Sequence, residues 1–364
     1  MCLSPISIRN PYYGSTRYWD NVLHDTKAQM LSIRCGYCSE CIAQKQLYLV
    51  QRVQMESLDR EFFFCTLTYD NEHLPVITTS TGYDIAFADY RHIQLLIKRM
   101  TNERFPNLRT VAVSEFGSIK GRPHFHLLFS LPRAECPDYN VCLSKECELY
   151  EYVFNHWAIN VGSKRKPLYE PLFTYVERWK NGKLYKNFDL HYVAPSLTSG
   201  GVSDVAFYVL KYMLKASPRE VRLQQALRLN LPEDEYETVW DLVKPRCVKS
   251  LGFGLSPTFV GRKIIPSPHV VDYIRNCVSS TPREFGFPWY FAPDSGIHFP
   301  LAYYYRSKPI FYNSQDALDF YYKKLNPDEF NPRTSVEINN AYEKFKKRYA
   351  LADEHFSDSY FSNL

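Results

Sequence analysis

The order of apolar and polar positions predicts short strands alternating with amphipathic helices. Residues 62–68, an unbroken apolar and β-branched run, have the length and composition of a central strand. Residues 111–117 read as a second strand and the apolar run around 124–129 as a third. Gly117 to Arg122 supply the glycines and polar residues of a hairpin turn between them. Elsewhere the period changes to that of a helix. Ile93, Leu96, Ile97 and Met100 form a stripe that predicts a helix from about 90 to 100, packed on the sheet. Residues 42–60 read as one amphipathic helix, with Leu47, Val50, Val53 and Leu58 apolar and Lys45, Arg52 and Arg60 charged. Further helices are predicted near 143–157, over 205–215, from about 220 to 244 and at 335–351, and a Lys/Arg-rich hairpin follows 157.

These elements predict an α+β fold: a central antiparallel sheet flanked by helices on one face and open on the other. Along the chain they divide into an N-terminal segment (1–60), a central domain (61–220) interrupted by an insertion at about 131–190, and a helical, loop-rich C-terminal extension (221–364). No internal repeat or low-complexity tract is present.

Candidate chemistry first appears in the third strand. His124 and His126 are two residues apart, so they share one face while Phe125, Leu127 and Phe129 share the other. Two imidazoles then converge and can hold a divalent metal. The predicted hairpin brings Glu115 beside His124, and two histidines with one carboxylate leave coordination positions open, as a catalytic metal requires. Asp70, Glu72 and His73 compete for the third position if the first strand runs beside the hairpin. Thr66 and Thr68 share one face of that first strand, and Arg122 sits at the mouth of the turn.

On the helix predicted at 205–215, residues four apart stack on one face, which pairs Tyr208 with Tyr212 and Lys211 with Lys215. A phenol with a pKa of about 10 is a poor nucleophile at neutral pH. It becomes reactive when a cation lies nearby and its target is made electrophilic, and lysines and a metal supply both. A second constellation is Cys35, Cys38 and Cys41, whose regular spacing lets three sulfurs face one ion, with Cys2 as the fourth thiolate of a tetrahedral zinc. Such a knot would brace the helix that follows it. Cys136, Cys142 and Cys147 are spaced too irregularly to suggest the same.

Composition narrows the setting. The chain has 364 residues, 45% of them hydrophobic, enough for a full core. A formal charge of +5 is only mildly basic, so an anionic partner must be met by local clusters such as Lys164-Arg165-Lys166 and Arg262-Lys263. Aromatics at 16% provide stacking platforms as well as core. No signal peptide or run of transmembrane length is evident, so ten cysteines suggest reduced thiols or metal ligands in a reducing compartment, with no membrane partner.

Five stretches in order carry a family resemblance. They are the N-terminus (Met1 to Ile6, with Asn10-Pro11), the cysteines at 35–41, residues 64–75, the His-hydrophobic-His motif at 124–126 and the Tyr-x-x-Lys-Tyr motif at 208–212. Together they resemble the replication initiators of the Microviridae, of the gokushovirus-like kind, within the HUH endonucleases. Tyr303 to Arg306 echo a further, C-terminal motif. The resemblance implies a rolling-circle initiator that nicks single-stranded or locally melted origin DNA. A tyrosine would link to the 5′ phosphate and free a 3′ hydroxyl, and the unit genome would later be rejoined. Carried over by position, His124 and His126 match the metal-binding histidines, Glu115 the third ligand, Tyr208 and Tyr212 the nucleophiles, and Lys211 the lysine between them. Mg²⁺ or Mn²⁺ is the implied cation, host helicase and polymerase the implied partners, and the host bacterial cytoplasm the implied setting. Apart from the resemblance, the Lys/Arg-rich hairpin of the insertion is read from its own residues as a candidate DNA clamp. Two other readings are a plasmid or mobile-element transesterase with one essential tyrosine, and a non-catalytic nucleic-acid-binding zinc protein.

Overall fold

The computed structural model describes residues 5–17, 20, 24–35, 39–117, 121–180, 183–193, 218–260, 263–281, 288–291, 298–306 and 309–311. The chain forms two compact units, one from Met1–Cys41, Trp179–Leu184 and Arg275–Leu364, the other from Ile42–Arg178 and Tyr185–Ile274.

The second unit is built on a five-stranded sheet. Its strands are β1 (Arg60–Thr68), β2 (Arg109–Phe116), β3 (Pro123–Pro132), β4 (Asp189–Val193) and β5 (Cys247–Lys249), in the order β4-β1-β3-β2-β5 and antiparallel throughout. The histidine strand β3 is therefore central, as the sequence pattern predicts. The hairpin from β2 to β3 fixes the register, setting Glu115 opposite His124, while β1 sets Thr68 opposite His124 and Thr66 opposite His126.

Period-two alternation sorts the side chains onto two buried faces. On one, Phe63, Cys65, Leu67, Phe125, Leu127 and Phe129 pack against α2 (Tyr90–Glu103) and α3 (Tyr139–His156). Each helix begins where an aspartate accepts an orphan N–H, Asp89 from Arg91 and Asp138 from Val141. On the other face, Phe62, Phe64, Val111, Val113 and Leu128 pack against Leu49, Val50 and Val53 of α1 (Ser39–Glu56) and against Phe253. Helices therefore cover both faces, correcting the expectation of one wholly open side. Beyond α1, the face of β2 and β3 that carries Val113 and Leu128 continues into Glu115, His124 and His126.

Two helix boundaries also depart from expectation. The helix read as 42–60 starts at Ser39 and stops at Glu56, because Arg60 and Glu61 are taken into β1 by pairing with Pro132 and Leu131. The segment from about 220 to 244 is two helices, α4 (Pro218–Asn230) and α5 (Glu233–Val243). Pro232 offers no N–H and disfavours a helical Leu231, so the helix breaks there. After α3, Ala158–Asn160 pairs with Tyr169–Pro171 as the expected hairpin.

In the first unit, Ile6–Arg9 pairs with Met30–Ile33, and Asn10 ties the intervening loop through Asp25 and Ala28. Tyr303–Arg306 is one helical turn whose Tyr305 is fully buried, its ring 5.6 Å from that of Phe311. Packing is thus the role of Tyr305. The helix expected at 335–351 lies outside the described residues. No helix among the described residues is long and apolar enough to cross a membrane.

Candidate metal centre

Because β2 and β3 pair antiparallel, Glu115 and His124 face each other across neighbouring strands, and His126 follows two residues on. Glu115 Oε1 lies 2.7 Å from His124 Nε2 and 3.2 Å from His126 Nε2, and the two Nε2 atoms are 3.2 Å apart. Ligands about 2.1 Å from one ion at tetrahedral to octahedral angles are separated by ~3.0–3.4 Å. Two of the three separations fall in that range. Among the described residues this is the group of histidine, cysteine and acidic side chains close enough to share a metal.

Backbone and side-chain partners aim the rings. His124 Nδ1 is 3.1 Å from the carbonyl oxygen of Arg122, which can only accept, so Nδ1 donates to it and the ring is turned with Nε2 toward Glu115. His126 Nδ1 is 3.2 Å from the Thr66 hydroxyl, and its ring stacks on Phe64 at 5.5 Å between centroids. Burial pushes the His126 imidazolium below the ordinary histidine range, with the Glu115 hydrogen bond opposing and nearby His124 adding to the effect. Burial also works against the Glu115 carboxylate, but hydrogen bonds to His124 and His126 outweigh it and bring its pKa down to about 2. A cation bound among them would replace the protons of these hydrogen bonds, meeting the carboxylate charge and the imidazole lone pairs directly. The donor set fits a divalent ion.

The competing ligands are engaged elsewhere. Asp70 accepts from the His73 backbone N–H at 2.8 Å and sits 2.9 Å from His73 Nδ1, while His73 Nε2 is 3.4 Å from Glu170. Asp70 and Glu72 instead line a cleft of about 330 Å³ with Asn71, Arg122 and Asn187, and the Arg122 guanidinium donates to Asn71 Oδ1. Thr68 donates to the carbonyl of Asn187 at 2.8 Å. The Thr66 bond to His126 and the Arg122 carbonyl are contacts to the triad that the sequence did not announce. Only the strand register reveals that residue 66 stands opposite 126.

Tyr208, Lys211 and Tyr212 lie outside the described residues, as do Cys2 and Cys38. Cys35 and Cys41 are described, with their sulfurs 3.8 Å apart. Thiolates about 2.3 Å from a tetrahedral zinc lie ~3.8 Å from each other. Cys136, just before α3, and Cys142, on it, are buried in the core.

Comparison with known proteins places the triad within a replication-associated match. Residues 62–217 match the family model described as replication-associated protein ORF2. That segment is similar to the replication-associated family over less than half of the chain. It contains the whole triad, the cleft beside it and the Tyr-x-x-Lys-Tyr motif. The replication-associated protein ORF4 of Chlamydia phage 1 is 31% identical to this chain over 110 residues, covering 29% of the chain and 25% of the relative. The chain thus spans about a quarter of the length of that curated relative. No solved structure matches the chain.

Proposed function

We propose that this protein is a phage replication initiator of the HUH type, a metal-dependent nickase and strand transferase acting on single-stranded or locally melted origin DNA. The observation that carries the reading is the Glu115–His124–His126 triad, on the central strands of a segment that also holds Tyr208, Lys211 and Tyr212 and matches a replication-associated family. A binding protein without chemistry has no need of two imidazoles and an ionised carboxylate with open coordination positions.

Glu115, His124 and His126 hold the cation, Mg²⁺ or Mn²⁺. Bound there, it supplies charge stabilisation at the non-bridging oxygens of the scissile phosphate. The phenolic oxygen of Tyr208 or Tyr212 attacks phosphorus, giving up its proton to solvent. The new O–P bond forms as the bond to the 3′ oxygen breaks, and that oxygen takes a proton to become a 3′ hydroxyl. Lys211 lends positive charge to the phenolate and to the phosphoryl oxygens. In the reverse direction a 3′ hydroxyl attacks the phosphotyrosine and the strand is rejoined. Two tyrosines four residues apart in the sequence let one hold the parental 5′ end while the other cuts the regenerated origin. Host helicase and polymerase act on the freed 3′ end, in the host bacterial cytoplasm. Cys2, Cys35, Cys38 and Cys41 hold a structural zinc, a reading supported by the sulfur separation at Cys35 and Cys41.

The test is a nicking reaction on circular single-stranded origin DNA with Mn²⁺ or Mg²⁺, followed by mass spectrometry of the DNA-linked peptide. The expected adduct is on the peptide carrying Tyr208 and Tyr212, lost in the double phenylalanine variant and in His126→Ala. Cleavage without an adduct, or an adduct on another tyrosine, overturns the assignment. Complete dependence on one tyrosine alone, in strand transfer as well as nicking, would favour the single-tyrosine transesterase.

A further inference from the structure

We propose that the hairpin of Ala158–Asn160 and Tyr169–Pro171, with its loop 161–168, is a preformed clamp for the phosphate backbone of a single DNA strand leading to the metal centre. The inference rests on the proposed function, and it concerns where the strand is gripped rather than how it is cut.

The loop presents Lys164, Arg165 and Lys166 side by side, and every residue from 161 to 170 is exposed. None of the three cations is paired with a carboxylate among the described residues. The loop is nevertheless built rather than slack. Asn160 Oδ1 accepts the backbone N–H groups of Gly162 at 3.0 Å and Leu168 at 2.9 Å, Ser163 Oγ accepts that of Lys166 at 3.0 Å, and Val161 N–H donates to the Leu168 carbonyl at 2.8 Å. Gly162 is required, since a Cβ there would stand 2.4 Å from the Lys166 carbonyl oxygen and 2.7 Å from the Leu168 nitrogen. Three cations carried on a fixed backbone lose less conformational freedom on meeting an anion than three on a mobile chain.

The root of the hairpin locates the clamp. Trp157 Nε1 donates to the Thr68 carbonyl at 2.7 Å, Asp70 N–H donates to the Leu172 carbonyl at 2.9 Å, and Glu170 meets His73 at 3.4 Å. Thr68 is the residue paired with His124. The hairpin therefore springs from the end of β1 that borders the triad, and the five residues from Glu170 to Arg165 span at most ~17 Å. A few nucleotides bridge that distance. A single strand is favoured over a duplex because Tyr169, half exposed at the base of the loop, offers an aromatic ring for an unpaired base, with Arg99 at 5.0 Å from its centroid.

Each phosphate neutralised on a single strand contributes ~0.7 to the slope of log affinity against log salt, so three contribute ~2. The test measures binding of a fluorescent single-stranded oligonucleotide by anisotropy from about 50 to 200 mM salt, with the full chain. Changing Lys164, Arg165 and Lys166 to Ala is expected to flatten the slope by ~2, a difference of roughly 20-fold in affinity across that range. Removing three other exposed cations, Arg91, Lys98 and Arg104 on and just after α2, is expected to leave the slope nearly unchanged. Gly162→Ala, which keeps every charge but disrupts the loop, is expected to weaken binding several-fold. Equal slopes for wild type and the loop variant overturn the clamp even if DNA is still cut. Loss of slope in a protein that cuts no DNA leaves the clamp standing and removes the nickase reading.

Discussion

Under the proposed reading, metal affinity at the triad depends on residues outside it. Thr66 holds His126 Nδ1 at 3.2 Å, and the Arg122 carbonyl holds His124 Nδ1 at 3.1 Å, so both Nε2 atoms are pointed at Glu115 before any ion arrives. Partners of this kind typically account for about 10- to 100-fold in metal affinity. Thr66→Val removes the hydroxyl and keeps the shape, so Mn²⁺ affinity measured by calorimetry should fall about 10-fold or more, with Thr66→Ser restoring most of it. An unchanged affinity in the valine variant would show that Phe64 stacking alone orients the ring. The convergence of Glu115, His124 and His126 was legible in the sequence, because His-x-His in an apolar run fixes a shared face and a Gly-containing turn shortly after Glu115 fixes the partner strand. Thr66 was legible only as a strand residue, since its partner depends on a β1–β3 register between segments 60 residues apart in sequence.

At the scale of elements, β1, β2 and β3 and the helix at 90 were readable from periodicity, whereas the placement of α1 was not. An amphipathic stripe says that a helix will bury one side, but not which face of a sheet receives it. What fixes α1 is a buried ionic junction at its C-terminal end. Glu56, fully buried, takes Arg109 Nε at 2.5 Å, the backbone N–H groups of Gly254 and Ser256 at 2.6 and 3.0 Å, and lies 3.6 Å from Arg60. Gly252 and Gly254 have positive φ, which lets the loop turn its amides onto the carboxylate. One side chain thus joins helix, sheet and loop, and burial draws the Arg60 guanidinium down to about 10 despite the neighbouring carboxylate. Glu56→Gln leaves two buried guanidinium groups facing a neutral amide. Breaking such a junction costs about 3–5 kcal/mol, to be read from urea unfolding. Glu115 stands six residues beyond Arg109 along β2, so Mn²⁺ affinity of the folded variant should be unaltered. A loss under about 1 kcal/mol would mean that the hydrophobic contacts of Val50 and Val53 hold α1 unaided.

For the whole molecule, the mild charge of +5 sends any DNA contact to local clusters instead of a general basic surface. The two compact units were less legible, each being assembled from segments far apart in sequence, which no local pattern announces. The candidate zinc cysteines and the metal triad fall in different units, with Cys35 and Cys41 in one and Glu115, His124 and His126 in the other. Two metals with different ligands should therefore separate experimentally. Oxygen and imidazole ligands with open positions release Mn²⁺ or Mg²⁺ readily, whereas a closed thiolate set holds zinc far more firmly and contributes to folding. Mild treatment with a chelator should abolish nicking reversibly and leave the thermal unfolding midpoint close to its starting value. Replacing Cys35 and Cys41 by Ser should remove about one equivalent of zinc by elemental analysis and lower the midpoint, while Mn²⁺ still binds the triad with wild-type affinity. Wild-type protein purified without zinc, or a double serine variant with unaltered unfolding, would mean that the 3.8 Å sulfur contact is packing between two thiols and that the fold of this unit needs no ion.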